Sequence, residues 1–177
     1  MIRTLGLTLL VAAAVGAAVA AAAAGDLVPF RLQDQRGRLH TDARYRHAAL
    51  VVLWGDRRGA PAMDAWTPRL AEALAGPVAG YRLRILEVAH GQGAPFFIKG
   101  KIRGKFADPG RGPVLMDWDG LFARTYACVA DSCTVLLFDP AGGLLRRWTV
   151  AAPDSARLAE VTAAARRAAG PAGAAAP

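Results

Sequence analysis

Apolar positions along this chain fall into continuous runs, alternating stretches and helical repeats, punctuated by glycine and proline. Residues 48–54 (AALVVLW) are an unbroken apolar run bounded by His47 and Gly55, which predicts a strand buried on both faces. Over residues 62–74, Met63, Trp66, Leu70 and Leu74 recur at steps of three and four. That spacing predicts an amphipathic helix, stopped by Gly76 and Pro77. Residues 81–89 (YRLRILEVA) predict the next strand, with Leu83, Ile85 and the residues after them inside. Upstream, residues 28–42 alternate apolar and polar positions around Gly37, the pattern of a short hairpin at a sheet edge.

The second half continues the alternation. Residues 94–106 (APFFIKGKIRGKF) predict a helix with Phe96, Phe97, Ile102 and Phe106 on one side, weakened by Gly100 and Gly104. Residues 112–120 (GPVLMDWDG) give a short strand ending in a turn, and residues 121–127 a helical stretch. Residues 133–150 read as a hairpin whose apolar strands flank Pro140, Ala141, Gly142 and Gly143. Residues 154–168 form the last helix, capped by Asp154 or Ser155. The order predicts an α/β domain over residues 25–169, with a mixed central sheet and helices on both faces. Residues 170–177 hold Pro, Gly and Ala without core formers and read as a disordered tail.

Composition changes this picture at the ends. Residues 1–24 carry one cation, Arg3, then an apolar run from Leu5 and a dense series of small residues. This is the pattern of a secretory signal cleaved after Ala24, and it predicts a periplasmic or secreted protein. An uncleaved N-terminal membrane anchor is the alternative, since the run is just long enough to span a bilayer. The net charge is +8, but 19 of the 22 cations are arginine and no stretch interleaves aromatics with basic residues. Nucleic acid is therefore not the expected partner.

With these elements in place, the chain resembles the redoxin form of the thioredoxin-like fold, shared by peroxiredoxins and membrane-tethered thioredoxin relatives. The resemblance rests on FRLQDQRGRLHT, on PVLMDWDGLFARTYACV and on the closing hairpin TVLLFDPAGGLLRRW, and covers residues 27–168. From Phe96 onward the layout is most similar to the small YtfJ-like periplasmic proteins. The resemblance implies a nucleophilic cysteine at a helix tip, where the dipole favours thiolate. Here the matching stretch reads Asp56, Arg57, Arg58, Gly59, Ala60, Pro61, and its nearest sulfur is Met63. Ala60-Pro61 is similar to the peroxidase Cys-Pro step with the sulfur removed. Dithiol and peroxidatic sites are absent, and no cofactor motif is present.

Several candidates remain. Asp56, Arg57, Arg58 and the helix-tip amides can hold a small anion or carboxylate, or Asp56 is simply a cap beside two solvated arginines. Cys128 and Cys133 are open to three readings: a structural disulfide, a displaced redox pair, or a metal site with a third ligand from Met63 or His90. The resemblance places Cys133 where the family has the residue facing the active-site loop, beside Arg58. His90 ends the second long strand, where ligands gather in α/β folds, as a base or ligand or as an exposed loop histidine. Lys99, Lys101, Arg103, Lys105 and Arg111, opposed only by Asp108, form a basic patch. It is either a solvated face or a dock for an anionic partner or lipid surface. Two functions follow: a non-catalytic binding or accessory module holding a periplasmic protein or peptide, or a thiol–disulfide oxidoreductase using Cys128 and Cys133.

Overall fold

The computed structural model describes residues 25–171. The expected signal segment (1–24) lies outside the described residues, as does most of the expected tail (170–177). Among the described residues no helix is long and apolar enough to cross a membrane.

The sheet is built outward from the most apolar run. Strand β3 (Ala49–Gly55) is buried at every position, because it pairs on both edges and is covered on both faces. On one side it runs parallel to β4 (Leu83–His90), which in turn pairs in parallel with β5 (Val114–Asp117). On the other side it is antiparallel to β6 (Cys133–Phe138), the first arm of the hairpin completed by β7 (Leu144–Val150). The strand order β5-β4-β3-β6-β7 is the mixed sheet expected from the sequence. Strands β1 (Arg31–Gln33) and β2 (Leu39–Thr41) form the opening hairpin as a separate two-stranded sheet, tied to the β5 edge by a bridge from Asp34 to Leu115.

Alternating side chains build two cores, one on each face of the sheet. Val51, Leu53, Ala89, Val135 and Leu137 face α1 (Ala60–Ala73) and α5 (Ser155–Ala169), and meet Met63, Trp66, Leu70 and Val161. Leu50, Val52, Trp54, Val88 and Leu136 face α4 (Leu121–Tyr126) and the N-terminal segment, and meet Phe122, Tyr126, Leu27 and Phe30. Asp154 caps α5, accepting the Arg157 amide at 2.8 Å.

Two expectations need correction. The helix does not end for good at Gly76-Pro77: a short α2 (Ala75–Ala79) follows α1 directly, since proline fits an early helical position. The second difference is larger. Helix α3 (Phe96–Gly104) has no buried residue; Phe96 is 85% and Phe97 71% exposed, and of the expected apolar side only Phe106 is buried, just beyond the helix.

Candidate functional site

The loop between β3 and α1 is organised by Asp56. Its Oδ1 accepts the amides of Arg58 (2.9 Å) and Gly59 (2.7 Å), and its Oδ2 accepts the amide of Asp131 (2.7 Å). Burial works to raise the Asp56 pKa, but these three donors outweigh it and hold the carboxyl below its ordinary value. The segment before β6 closes onto the loop. The Arg58 guanidinium pairs with Asp131 at 2.7 Å, and a Cβ on Gly59 would lie 2.0 Å from the Ser132 carbonyl oxygen. Glycine is required there because backbone meets backbone. An incoming anion would have to displace the Asp56 carboxylate from these amides and Asp131 from Arg58. The tip formed by Asp56, Arg57 and Arg58 is a self-satisfied latch, with Arg57 exposed beside it.

The expected Cys128–Cys133 bridge is also corrected, since both thiols are free. The cause is the twofold alternation of a strand. Cys133 opens β6 and packs in the α1/α5 core with Val135 and Leu137. Its neighbour Thr134 faces the other way, and Cys128 packs on that other face, against the Phe122–Tyr126 core, with its Sγ 3.5 Å from the Phe122 carbonyl oxygen. The sheet separates the two sulfurs. Burial pushes each thiol from an ordinary 9.0 up to about 12, and neither is a thiolate at neutral pH. Cys133 does reach the backbone position facing the helix tip, but its side chain turns inward and is fully buried rather than beside Arg58.

His90 is half-buried at the carboxyl end of β4. Its ring lies 5.2 Å from that of Trp54, and neither His90 Nδ1 nor the Trp54 indole nitrogen has a hydrogen-bond partner among the described residues. Met63, the other suggested metal ligand, is fully buried in the α1/α5 core. Among the described residues no three His, Cys, Asp or Glu side chains converge as ligands.

The basic patch divides into three parts. Lys99 and Arg103, one turn apart on α3, lie 5.0 and 5.8 Å over the Trp118 ring, and Arg103 also donates to Gln33. Lys101 and Lys105 are exposed. Arg111 does not belong to the patch at all. It donates to Glu87 through Nε (2.9 Å) and Nη2 (2.6 Å), and to Asp64 at 2.6 Å. These carboxylates raise its pKa against the opposing effect of burial. Glu87 is only 4% exposed and also accepts the Thr67 hydroxyl. The expectation overlooked this pairing, although one carboxylate inside the apolar strand LRILEVAH demands a buried cation. A second overlooked network joins His40 to Asp34 (3.1 Å) and Tyr45 (2.7 Å) under the opening hairpin.

Beside the latch runs a groove of about 360 Å³, lined by Arg58, Pro61, Ala62, Ala65, Ser132 and Val150 among others. Its floor is apolar, and one rim carries the Arg58–Asp131 ion pair. It lies at the helix tip, between the start of α1 and the chain leaving β7.

No family model and no curated protein matches the sequence. Solved structures do match the fold. The exposed lipoprotein thioredoxin of Streptococcus pneumoniae is similar over 77% of this chain and 99% of its own, at 18% identity and a TM-score of 0.59. Peroxiredoxin Q of Xanthomonas campestris covers 79% and 92%, at 17% identity and a TM-score of 0.56. A secreted disulfide oxidoreductase of Mycobacterium tuberculosis covers 76% and 95%, at 17% identity and 0.53. The chain has the thioredoxin-like fold.

Proposed function

We propose that this chain is an exported, non-catalytic binding or accessory module, which uses the groove beside the α1 tip to hold a segment of a partner protein. One observation carries the reading. The helix tip where this fold performs thiol chemistry has no sulfur, and the chain's two cysteines, Cys133 buried and Cys128 half-buried, lie on opposite faces of the sheet with pKa values pushed up to about 12. Nucleophilic catalysis needs an accessible, activated group at the site, and here the amides that would activate one are bonded to Asp56. The adjoining groove remains open, with an apolar floor that suits a small side chain and the Arg58–Asp131 pair at its rim. Export is supported by the signal-like composition of residues 1–24, and two of the similar structures are described as an exposed lipoprotein and a secreted protein.

The test is site-specific photocrosslinking in the native cell, with benzoylphenylalanine at Ala65 in the groove and at Val78 on α2 as a control. A discrete adduct from position 65, absent from position 78 and abolished by Ala62→Arg, is the expected result. No adduct from the groove, or the same adduct from both positions, would overturn the reading.

A further inference from the structure

Helix α3 stands apart from everything described above. Its inward side is held by Lys99 and Arg103 over Trp118 and by Ile102 against the α1/α5 core. The opposite side, at helical spacing, carries Phe97, Gly100, Lys101 and Gly104, flanked by Phe96, Ile98 and Lys105. A Cβ on Gly100 or Gly104 would meet nothing within 4 Å, so this face looks into open solvent. Phe96 and Phe97 contact each other edge to face, 5.7 Å between centroids, and little else covers them. Two adjacent phenylalanines left in water without a core to fill mark a binding surface.

We propose that α3 is a membrane-contact element: Phe96, Phe97 and Ile98 enter the headgroup boundary of an anionic bilayer, while Lys101 and Lys105 engage the lipid phosphates. Charge and shape both select this occupant. Residues 96–107 contain four cations and no carboxylate, and three of the four are the chain's only lysines. Phe96 and Phe97 project from α3 with 85% and 71% of their surface exposed, and the space beside Gly100 and Gly104 is open, so the helix stands out as a prow. A convex aromatic tip ringed by lysine fits a soft, planar, negative surface, into which apolar side chains sink and over which cations sit. This surface is independent of the α1 groove.

Residues 1–24 are apolar enough to adsorb to lipid themselves, so the test reads α3 locally in the full chain, each added tryptophan being read as the difference from the wild type and its four tryptophans. Phe97→Trp places a reporter in the prow, and Tyr81→Trp places one at another exposed aromatic position, outside α3. Each is mixed with phosphatidylglycerol vesicles carrying brominated acyl chains, at low salt. The Phe97→Trp emission should shift to the blue and be quenched, with Tyr81→Trp unaffected. Lys101→Gln with Lys105→Gln should weaken the quenching at least tenfold in lipid concentration, since each cation near such a surface contributes roughly fivefold. High salt should abolish it. Both lysines are exposed, so an unchanged circular dichroism spectrum confirms that folding is intact. An unshifted, unquenched emission from the Phe97→Trp variant on anionic vesicles would overturn the proposal. So would equal quenching on phosphatidylcholine, or quenching indifferent to the lysine substitutions. Capture of a soluble acidic protein through α3 without lipid quenching would overturn it in favour of a protein partner.

Discussion

Replacing Arg111 with methionine isolates the most consequential buried interaction of the domain. The guanidinium holds Glu87 with two hydrogen bonds at 2.6 and 2.9 Å, and the side chains are 19% and 5% exposed. Methionine keeps the apolar stem against Phe106, over whose ring the guanidinium sits at 4.9 Å. What it removes is the charge, leaving the Glu87 carboxylate with only the Thr67 hydroxyl. Breaking one side of such a pair costs about 3–5 kcal/mol, because the remaining charge stays desolvated. Asp64, 49% exposed, returns to water and adds little. For a domain of this size each kcal/mol is worth about 2–4 °C, so the melting temperature should fall by roughly 10 °C. Glu87→Leu combined with Arg111→Met should recover most of the loss, since no unpaired charge then remains. Urea unfolding of the wild type, both single variants and the double variant measures each step and the coupling between them. If Arg111→Met costs under about 1 kcal/mol, or the double variant is less stable than that single one, the pair is not buried as described and Arg111 returns to the surface patch.

Further outcomes follow from the latch and from the opening hairpin. Gly59→Ala should cost roughly 1–3 kcal/mol and raise amide exchange across residues 129–132, because the new methyl meets backbone rather than a movable side chain. Gly76→Ala, with nothing within 4 Å, should be neutral or slightly stabilising under the same assay. Burial works to raise the Asp34 pKa, but the Arg38 and Arg36 amides and His40 hold it below the ordinary 3.8. The unfolded state therefore binds the proton more readily. This carboxylate's contribution is present above about pH 4 and is lost as acid titrates it in the folded protein. Asp34→Asn should flatten the decline of the urea midpoint between about pH 5 and pH 2.5, and an unchanged slope would contradict the assignment.

The strands and the main helices were legible because burial enforces their periods. Residues 48–54 cannot be apolar throughout unless both faces are covered, and Met63, Trp66 and Leu70 reach one core only as a helix. The α3 face was misjudged on the same evidence. Phe96, Phe97, Ile102 and Phe106 suggest a core-facing stripe, but hydrophobicity alone does not say whether a surface meets its own domain or something outside it. The cysteines failed for a different reason. Sequence spacing gives the loop length between Cys128 and Cys133 but not the face of the sheet from which each side chain leaves. Parity along β6 decides that: Cys133 shares a face with Val135 and Leu137, and Cys128 shares one with Thr134. Arg111 was grouped with its neighbours in sequence, whereas its partner Glu87 comes from a strand 24 residues away. That a tip without sulfur cannot run thiol exchange was visible from residues 56–61. That Asp56 occupies the amides there required the fold.

The central claim, a thioredoxin-like fold whose thiols are out of action, is tested most directly by thiol reactivity in the native state. The purified protein is treated with dithiobis(nitrobenzoate) near neutral pH without prior reduction, first folded and then in denaturant. A pKa moved from 9.0 to about 12 leaves roughly a thousandfold less thiolate at either cysteine, and burial blocks access to Cys133 as well. The account predicts two thiols in denaturant, no turnover of insulin disulfides, and in the folded protein a Cys133 that reacts only at the rate of unfolding and a Cys128 that reacts far more slowly than a free cysteine. Either thiol reacting at the rate of a free cysteine in the folded protein, accompanied by insulin reduction, would contradict it. The absence of both thiols in denaturant would contradict the separation of Cys128 and Cys133 by the sheet.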